Sequence, residues 1–313
     1  MKTLRNSTAF AVLILLSTAC ASSQAPEESA PTETLQEERA EEEDSKAQLQ
    51  VDEAAERRAD LEASLQAFVN AEHRSDDDIA RNESRNPVET LMFFGYDPGA
   101  SIVEIWPGPG WYTDILAPLA REHGGEFRVG LYGTVDDDPD HRPTMVTQQY
   151  LERIENNREV YGEFSKGTFD PPDEVDLGPP ESAQMVMSVR NLHMLHSRGV
   201  LDAAFDAFYE VLQPGGTLGV IQHRAPEGSD PDAMAQSGYL PEAFVIERIE
   251  AAGFKLEESS ELNANPDDDA DHEHGVWSLP PVLRGGEEKG EDHYRQIGES
   301  DRMTLRFVKP DDG

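Results

Sequence analysis

Two short stretches of this chain carry the groups best suited to chemistry. The first, EIWPGPG from Glu104 to Gly110, closes an apolar run and places Gly108 and Gly110 in a sharp turn. Glycine takes dihedrals closed to other residues and lets backbone approach a ligand closely, so this turn is a candidate ligand cradle. The second stretch is RNLHMLH, from Arg190 to His196. A histidine titrates near neutral pH and can serve as a general base, while an asparagine beside it can hold or orient a ligand. Asn191 and His193 are therefore candidates for the catalytic side. His223, with Arg224 next to it, ends another apolar run and is a third. His193 and His196 are three apart and share a helical face, but no third ligand has matching spacing. Asn265, Asp267, Asp269 and Asp271 alternate like the donors of a calcium loop, without its glycine and terminal glutamate. Residues 261–280 are accordingly read as a surface lid, and no metal site is assigned. The single cysteine supplies neither an internal disulfide nor a cysteine-rich metal site.

The elements that must position these groups alternate in type. Ser101 to Trp106, Glu126 to Tyr132, Val160 to Lys166, Gln184 to Val189, Thr217 to His223, Phe254 to Leu262 and Met303 to Val308 read as strands. Between them, Trp111 to Glu122, Thr147 to Tyr161, Leu201 to Leu212 and Pro241 to Ala252 carry apolar residues at helical spacing. Gln213-Pro214-Gly215-Gly216 is a sharp turn, and Gly253 is a helix stop. Such alternation predicts an α/β fold: a doubly wound, mostly parallel, Rossmann-like sheet with helices on both faces. Ligands then bind at the carboxyl ends of the strands, where strand order reverses.

The chain has 313 residues, 63 acidic and 26 basic, for a formal net charge of −37. A phosphate backbone needs a basic footprint, so nucleic acid is excluded as a partner. Hydrophobic residues make up only 37%, which is low enough that part of the chain is expected to lie outside the core. Residues 1–20 hold Lys2, Arg5, an apolar run from Ala9 to Leu16, and small residues leading into Cys20. The run is too short to span a bilayer, and the segment resembles a bacterial lipoprotein signal whose cysteine is lipidated. That implies an exported protein of the cell envelope, an outer-membrane lipoprotein facing the periplasm, with the membrane reached only through a lipid anchor on Cys20. Residues 21–60, with thirteen acids against four bases, read as an acidic disordered tether. Helical spacing begins at Ser45 and runs through Leu61, Leu65 and Phe68. Residues 61–313 form the folded domain with an N-terminal helical extension.

The order of EIWPGPG, VLQPGGTL and Ala252-Gly253-Phe254 resembles that of class I S-adenosylmethionine-dependent methyltransferases. The strings SRNPVETLMFFG, VEIWPGPGWYTDILAP, GVWSLPP and IGESDRMTLRFVKP are similar to a family of bacterial methyltransferases assigned from sequence, many of them exported. The similarity covers about residues 80–310. It implies the class I sheet, with its last strand antiparallel, and S-adenosylmethionine as cofactor. Glu104, Gly108 and Gly110 would then be the acid and the later glycines of the loop around the methionine moiety. Trp106 stands where the first glycine is expected, either filling that pocket or turning aside to wall it. No acid ends the second strand, so Asp136 is the candidate for the ribose hydroxyls. Phe169 and Asp170 are the candidates for stacking on the purine and meeting its amine. The resemblance implies methyl transfer to a small-molecule or envelope acceptor. The alternative is a non-catalytic ligand-binding lipoprotein on a degenerate methyltransferase fold. No partner protein is identified.

Overall fold

The computed structural model describes residues 31–133, 141–285 and 290–311. The chain divides into two compact units, residues 1–55 and 56–313. In the first, the described residues are helical and belong to α1 (Pro31–Val69). The helix therefore begins well before Ser45, where the composition predicts an irregular tether. Glu, Ala, Gln and Arg are all good helix formers, and residues 45–55 are solvated on every face.

The second unit is built on a nine-stranded sheet. Its strands are β1 (Ser101–Ile105), β2 (Glu126–Leu131), β3 (Ser165–Asp170), β4 (Glu174–Val175), β5 (Ala183–Val189), β6 (Leu212–Ala225), β7 (Leu240–Pro241), β8 (Lys255–Ser260) and β9 (Arg302–Val308). The order across the sheet is β4-β3-β2-β1-β5-β6-β9-β8, with β7 beside β6. β1, β2, β3, β5 and β6 are parallel, and β9 runs antiparallel to both β6 and β8. This is the expected doubly wound architecture with a reversed last strand. From β1 the chain steps outward to β2 and β3, then returns to place β5 on the other side, so strand order reverses between β1 and β5.

The helices are α2 (Asp76–Ala80), α3 (Asn82–Arg85), α4 (Pro87–Phe94), α5 (Thr113–His123), α6 (Arg142–Asn156), α7 (Arg158–Tyr161), α8 (Leu192–Ser197), α9 (Leu201–Val211), α10 (Pro231–Ala235), α11 (Glu242–Ala251) and α12 (Glu291–Ile297). They cover the sheet over two apolar layers. One gathers Val103, Val186, Phe205, Phe208, Val220 and Leu305; the other gathers Leu65, Leu91, Phe94, Ile115, Leu116 and Met187. Neighbouring positions on β5 enter opposite layers, as a strand buried on both faces requires.

The third strand departs from the sequence reading. It lies at Ser165–Asp170 rather than Val160–Lys166, because Val160 and Tyr161 belong to α7 and pack on the helix layer. The helix expected over Thr147–Tyr161 starts at Arg142 and breaks at Asn157. The Gln213–Gly216 turn lies within β6, where the pairing with β5 shifts register.

Candidate functional site

At the carboxyl end of β1 the chain must leave the sheet sharply. Trp106 donates its backbone N–H to Gly130 O of β2 at 2.9 Å, and Gly110 N–H closes a turn onto Pro107 O at 2.9 Å. Asp114 N–H to Gly110 O then starts α5. Trp106 adopts φ 46°, the left-handed region a glycine enters freely and a bulky residue enters at a cost of about 1–2 kcal/mol. The backbone thus keeps the glycine conformation although the side chain is tryptophan. The indole turns aside. Its Nε1–H donates to Phe169 O at 2.8 Å, and its ring stacks on Tyr132 with centroids 4.4 Å apart.

The two glycines behind it differ. A Cβ built on Gly108 (φ 59°) meets nothing within 4 Å, whereas one on Gly110 (φ 94°) comes within 2.0 Å of Arg153 Nη2 and 3.2 Å of Tyr150. Gly108 faces open space and lines a cavity of about 490 Å³. Gly110 is needed for packing. Its expected ligand role is corrected, because α6 occupies the space beside it.

Glu104 lies one residue before the end of β1 and is 3% exposed. Thr113 Oγ1 donates to its Oε2 at 2.6 Å, and Thr113 in turn meets Tyr150 Oη at 3.2 Å. Burial raises the carboxyl pKa to about 8, against the opposing effects of the Thr113 bond and Arg153 and with the support of Asp114. Glu104 is therefore largely protonated at neutral pH in this form.

Across the switch point, β5 delivers Arg190, Asn191 and His193 to the same cavity. Asn191 Nδ2 donates to Ile105 O at 3.0 Å, and Ser188 Oγ donates to Asn191 Oδ1 at 2.5 Å. This amide ties the ends of β1 and β5 together, so Asn191 shapes the cavity floor as a framework group. His193 is buried, and desolvation lowers its pKa to about 4, with Gln222 opposing and Arg190 reinforcing. Gln222 Oε1 accepts from Leu192 N–H at 3.2 Å and its Nε2 donates to Gly238 O at 3.0 Å, which fixes the amide orientation. Nε2 then donates to His193 Nδ1 at 3.3 Å. With Nδ1 accepting, the ring proton sits on Nε2. His193 is thus a neutral hydrogen-bond donor, and the general-base role expected of it is corrected. His223 Nδ1 meets Ser300 Oγ at 2.6 Å, and both residues line the cavity. Burial, with His193, Arg190 and Arg302 nearby, keeps His223 neutral.

Beside these groups stands a buried ionic cluster. Glu299 accepts from Arg81 Nε at 2.8 Å, Arg85 Nε at 3.0 Å and Arg302 Nη1 at 3.0 Å. Arg302 pairs with Glu299, while its neighbour Asp301 takes Arg224 at 2.9 Å. Arg224 also holds Glu242 and Glu261, which turns it away from the acceptor role its position suggests. Arg190 has φ 59°, and burial and the surrounding arginines push its pKa down to about 10, against the pull of Glu299.

Glu104, Trp106, Gly108, Asn191, His193 and His223 thus meet in one cavity, while Trp106, His193 and Asp170 also line an adjoining one of about 450 Å³. Asp170 pairs there with Arg198. Phe169 does not reach either. It lies inside β3, fully buried and stacked on Phe208 at 5.2 Å, so its expected purine-stacking role is corrected. Asp136 lies outside the described residues. In the 261–280 segment, Asn265 Nδ2 donates to Ile297 O and Glu299 O, both at 2.7 Å, which ties the loop to the body. Asp268, with Asp269 and His272 near it, accepts from Tyr239 Oη, Ala270 N–H and Asp301 N–H. Arg190, Tyr112, Tyr132, Ser300 and Glu299 are wall residues that sequence reasoning missed; only Arg190 carried a signal, as the first residue of RNLHMLH.

No protein-family model matches this chain, and no curated protein matches it. Among solved structures, a Galdieria sulphuraria protein described as a sarcosine dimethylglycine methyltransferase superposes with TM-score 0.50 at 13% identity, over 75% of this chain and 88% of that one. The two chains share one doubly wound fold. A S-adenosylmethionine-dependent methyltransferase of Aquifex aeolicus gives 0.44 at 16% identity, over 58% and 86% of the two chains. A Haemonchus contortus phosphoethanolamine N-methyltransferase in complex with S-adenosylmethionine gives 0.48 at 16%, over 79% and 60%.

Proposed function

We propose that this chain binds S-adenosylmethionine in the paired cavities above β1 and β5 and transfers its methyl group to a small-molecule or envelope acceptor. The observation that carries this reading is the open space at Gly108, left free because the Trp106 indole is bonded to Phe169 O on the far side. The donor set fits the cofactor. An ammonium beside the Glu104 carboxyl would favour loss of its proton and pair with the resulting carboxylate, and the chamber lined by Trp106, Tyr132 and Asp170 suits a nucleoside. Volumes of 490 and 450 Å³ lie within the usual range for small-molecule sites.

The bound cofactor supplies a methyl group on a sulfonium, and that group carries the difficult chemistry itself. The residues of this chain align the acceptor and keep water out. Trp111, Tyr112 and Trp277 give the cavity apolar walls, and His193 offers Nε2–H as a donor to orient the acceptor. With Nδ1 engaged by Gln222 and burial lowering its pKa to about 4, His193 is a poor proton acceptor at pH 7. Calorimetric titration of the full chain with S-adenosylmethionine and S-adenosylhomocysteine tests the reading. Micromolar binding of both, weakened at least tenfold by Gly108→Val, is expected; no heat from either ligand overturns it.

The same proposal places the protein in the cell envelope, among exported methyltransferase-like proteins, held by a lipid on Cys20. Lys2, Arg5, the short apolar run and Cys20 support it, and they lie outside the described residues. Among the described residues no helix is long and apolar enough to cross a membrane. Cys20→Ser is expected to release the protein from membranes on fractionation, and retention there would contradict the anchor.

A further inference from the structure

The cavity is positive inside a strongly acidic protein. The chain carries −37 overall, yet Arg81, Arg142 and Arg190 line the cavity against only two carboxyl groups, Glu104 and Glu299. Glu299 is already shared among Arg81, Arg85 and Arg302. Glu104 largely keeps its proton at neutral pH because burial raises its pKa to about 8. A wall of that sign works against the protein's own net field, and such local reversals select the charge of what enters a cleft.

Arg190 is the part of this wall left without a partner. No carboxylate among the described residues comes within 4.0 Å of its guanidinium, and no side-chain hydrogen bond from it is present among them. Its backbone N–H is fixed to Ile221 O at 2.7 Å and its φ is 59°. A non-glycine residue held in that well at a strand end is a feature of binding sites. The sulfonium and ammonium of the proposed cofactor gain nothing from a positive wall; its one anionic group is its own carboxylate, and methylthioadenosine, which lacks that group, separates this occupant from an anion on the acceptor.

We infer that Arg190 anchors a carboxylate on the methyl acceptor, beside His193 Nε2–H and the His223–Ser300 pair. The planar guanidinium fork matches a carboxylate with two parallel hydrogen bonds. Trp111, Tyr112, Val276 and Trp277 complete the wall, so the acceptor class is a small carboxylate with a flat apolar body. That the bound carboxylate is a methyl acceptor rests on the methyl-transfer reading; the anion site does not.

The three tryptophans of the chain, Trp106, Trp111 and Trp277, all line this cavity, so intrinsic fluorescence reads its occupancy. Benzoate is titrated into the full chain with and without S-adenosylhomocysteine, in parallel with neutral benzamide. Benzoate is expected to change the fluorescence, and benzamide to bind at least tenfold more weakly. Arg190→Gln is expected to weaken benzoate about 10- to 100-fold while changing S-adenosylhomocysteine affinity less than twofold. Arg190→Lys keeps the charge without the fork and is expected to fall between. The benzoate–benzamide contrast uses the unaltered protein and does not depend on a variant folding. Equal binding of the two, or no binding of benzoate, overturns the inference. So does loss of S-adenosylhomocysteine affinity in Arg190→Gln with methylthioadenosine unaffected, which assigns the arginine to the cofactor's own carboxylate. S-adenosylhomocysteine binding without benzoate removes this inference and leaves methyl transfer standing; benzoate binding without S-adenosylhomocysteine does the reverse.

Discussion

The two walls of the cleft are made of different materials. On the β1–β3 side, Trp106, Tyr132 and Phe169 pack ring on ring and continue through Phe208 into the core. On the β5–β9 side, Arg190, His193, Gln222, His223, Ser300 and Glu299 form a buried polar wall, most of it joined by hydrogen bonds. The first wall sets shape through rigid contact, and substitutions there act through packing. The second sets charge and donor direction, and substitutions there leave uncompensated groups behind. The proposed methyl transfer would use both, one side to seat a nucleoside and the other to sort acceptors.

The polar wall is where the largest effect is expected. Glu299→Gln leaves Arg81, Arg85 and Arg302 without their shared carboxylate. Removing one partner from a buried ion cluster costs about 3–5 kcal/mol, to be read as a lower urea midpoint. An unchanged midpoint would mean the cluster is solvated and the wall is not a charged one.

Glu104, at the floor between the walls, sharpens the contrast through pH. Its folded pKa, about 8, lies above the ordinary value of 4.5 because burial disfavours the carboxylate. Its contribution to stability is therefore complete below pH 4.5 and is lost as pH rises through 8. Between pH 5 and pH 8 the unaltered protein is expected to lose about 3 kcal/mol relative to Glu104→Gln. Parallel stability curves for the two would contradict the buried carboxyl.

The smallest pair of effects tests the aromatic side. Gly110→Ala puts a Cβ at a positive φ, 2.0 Å from the end of the Arg153 side chain, which must shift, and 3.2 Å from the Tyr150 ring, and is expected to cost about 2 kcal/mol. Gly108→Ala meets only open space and is expected to cost about 1 kcal/mol, with its main effect on ligand affinity. Thermal unfolding separates them, and equal losses would erase the distinction between the packed glycine and the open one.

The sheet was legible because β1, β2, β5 and β6 are short apolar runs bounded by turn residues. β3 was not, since SKGTFD buries only Phe169 and carries no alternation. At the site, Glu104, Gly108, His193 and His223 could be placed from their positions at strand ends. Gly110 and Phe169 were misassigned because the residues that claim their space, Arg153 and Phe208, lie about 40 positions farther along the chain. The Glu299 cluster was hidden for the same reason. It joins α2–α3 to the start of β9 across more than 200 residues, and the spacing of charges along a chain carries no trace of such a pairing. The tautomer of His193 depends on Gln222, 29 residues away, so its residue type suggested a base where the fold makes a donor.

The central claim is that the bend after β1 holds a vacant slot at Gly108 with the indole withdrawn. A crystal structure of the full chain grown with S-adenosylhomocysteine tests it most directly. The amino-acid end should lie over Gly108 and the nucleoside should lie between Trp106 and Asp170, with Trp106 Nε1 still bonded to Phe169 O. Density for the ligand elsewhere, or an indole swung over Gly108, would contradict it.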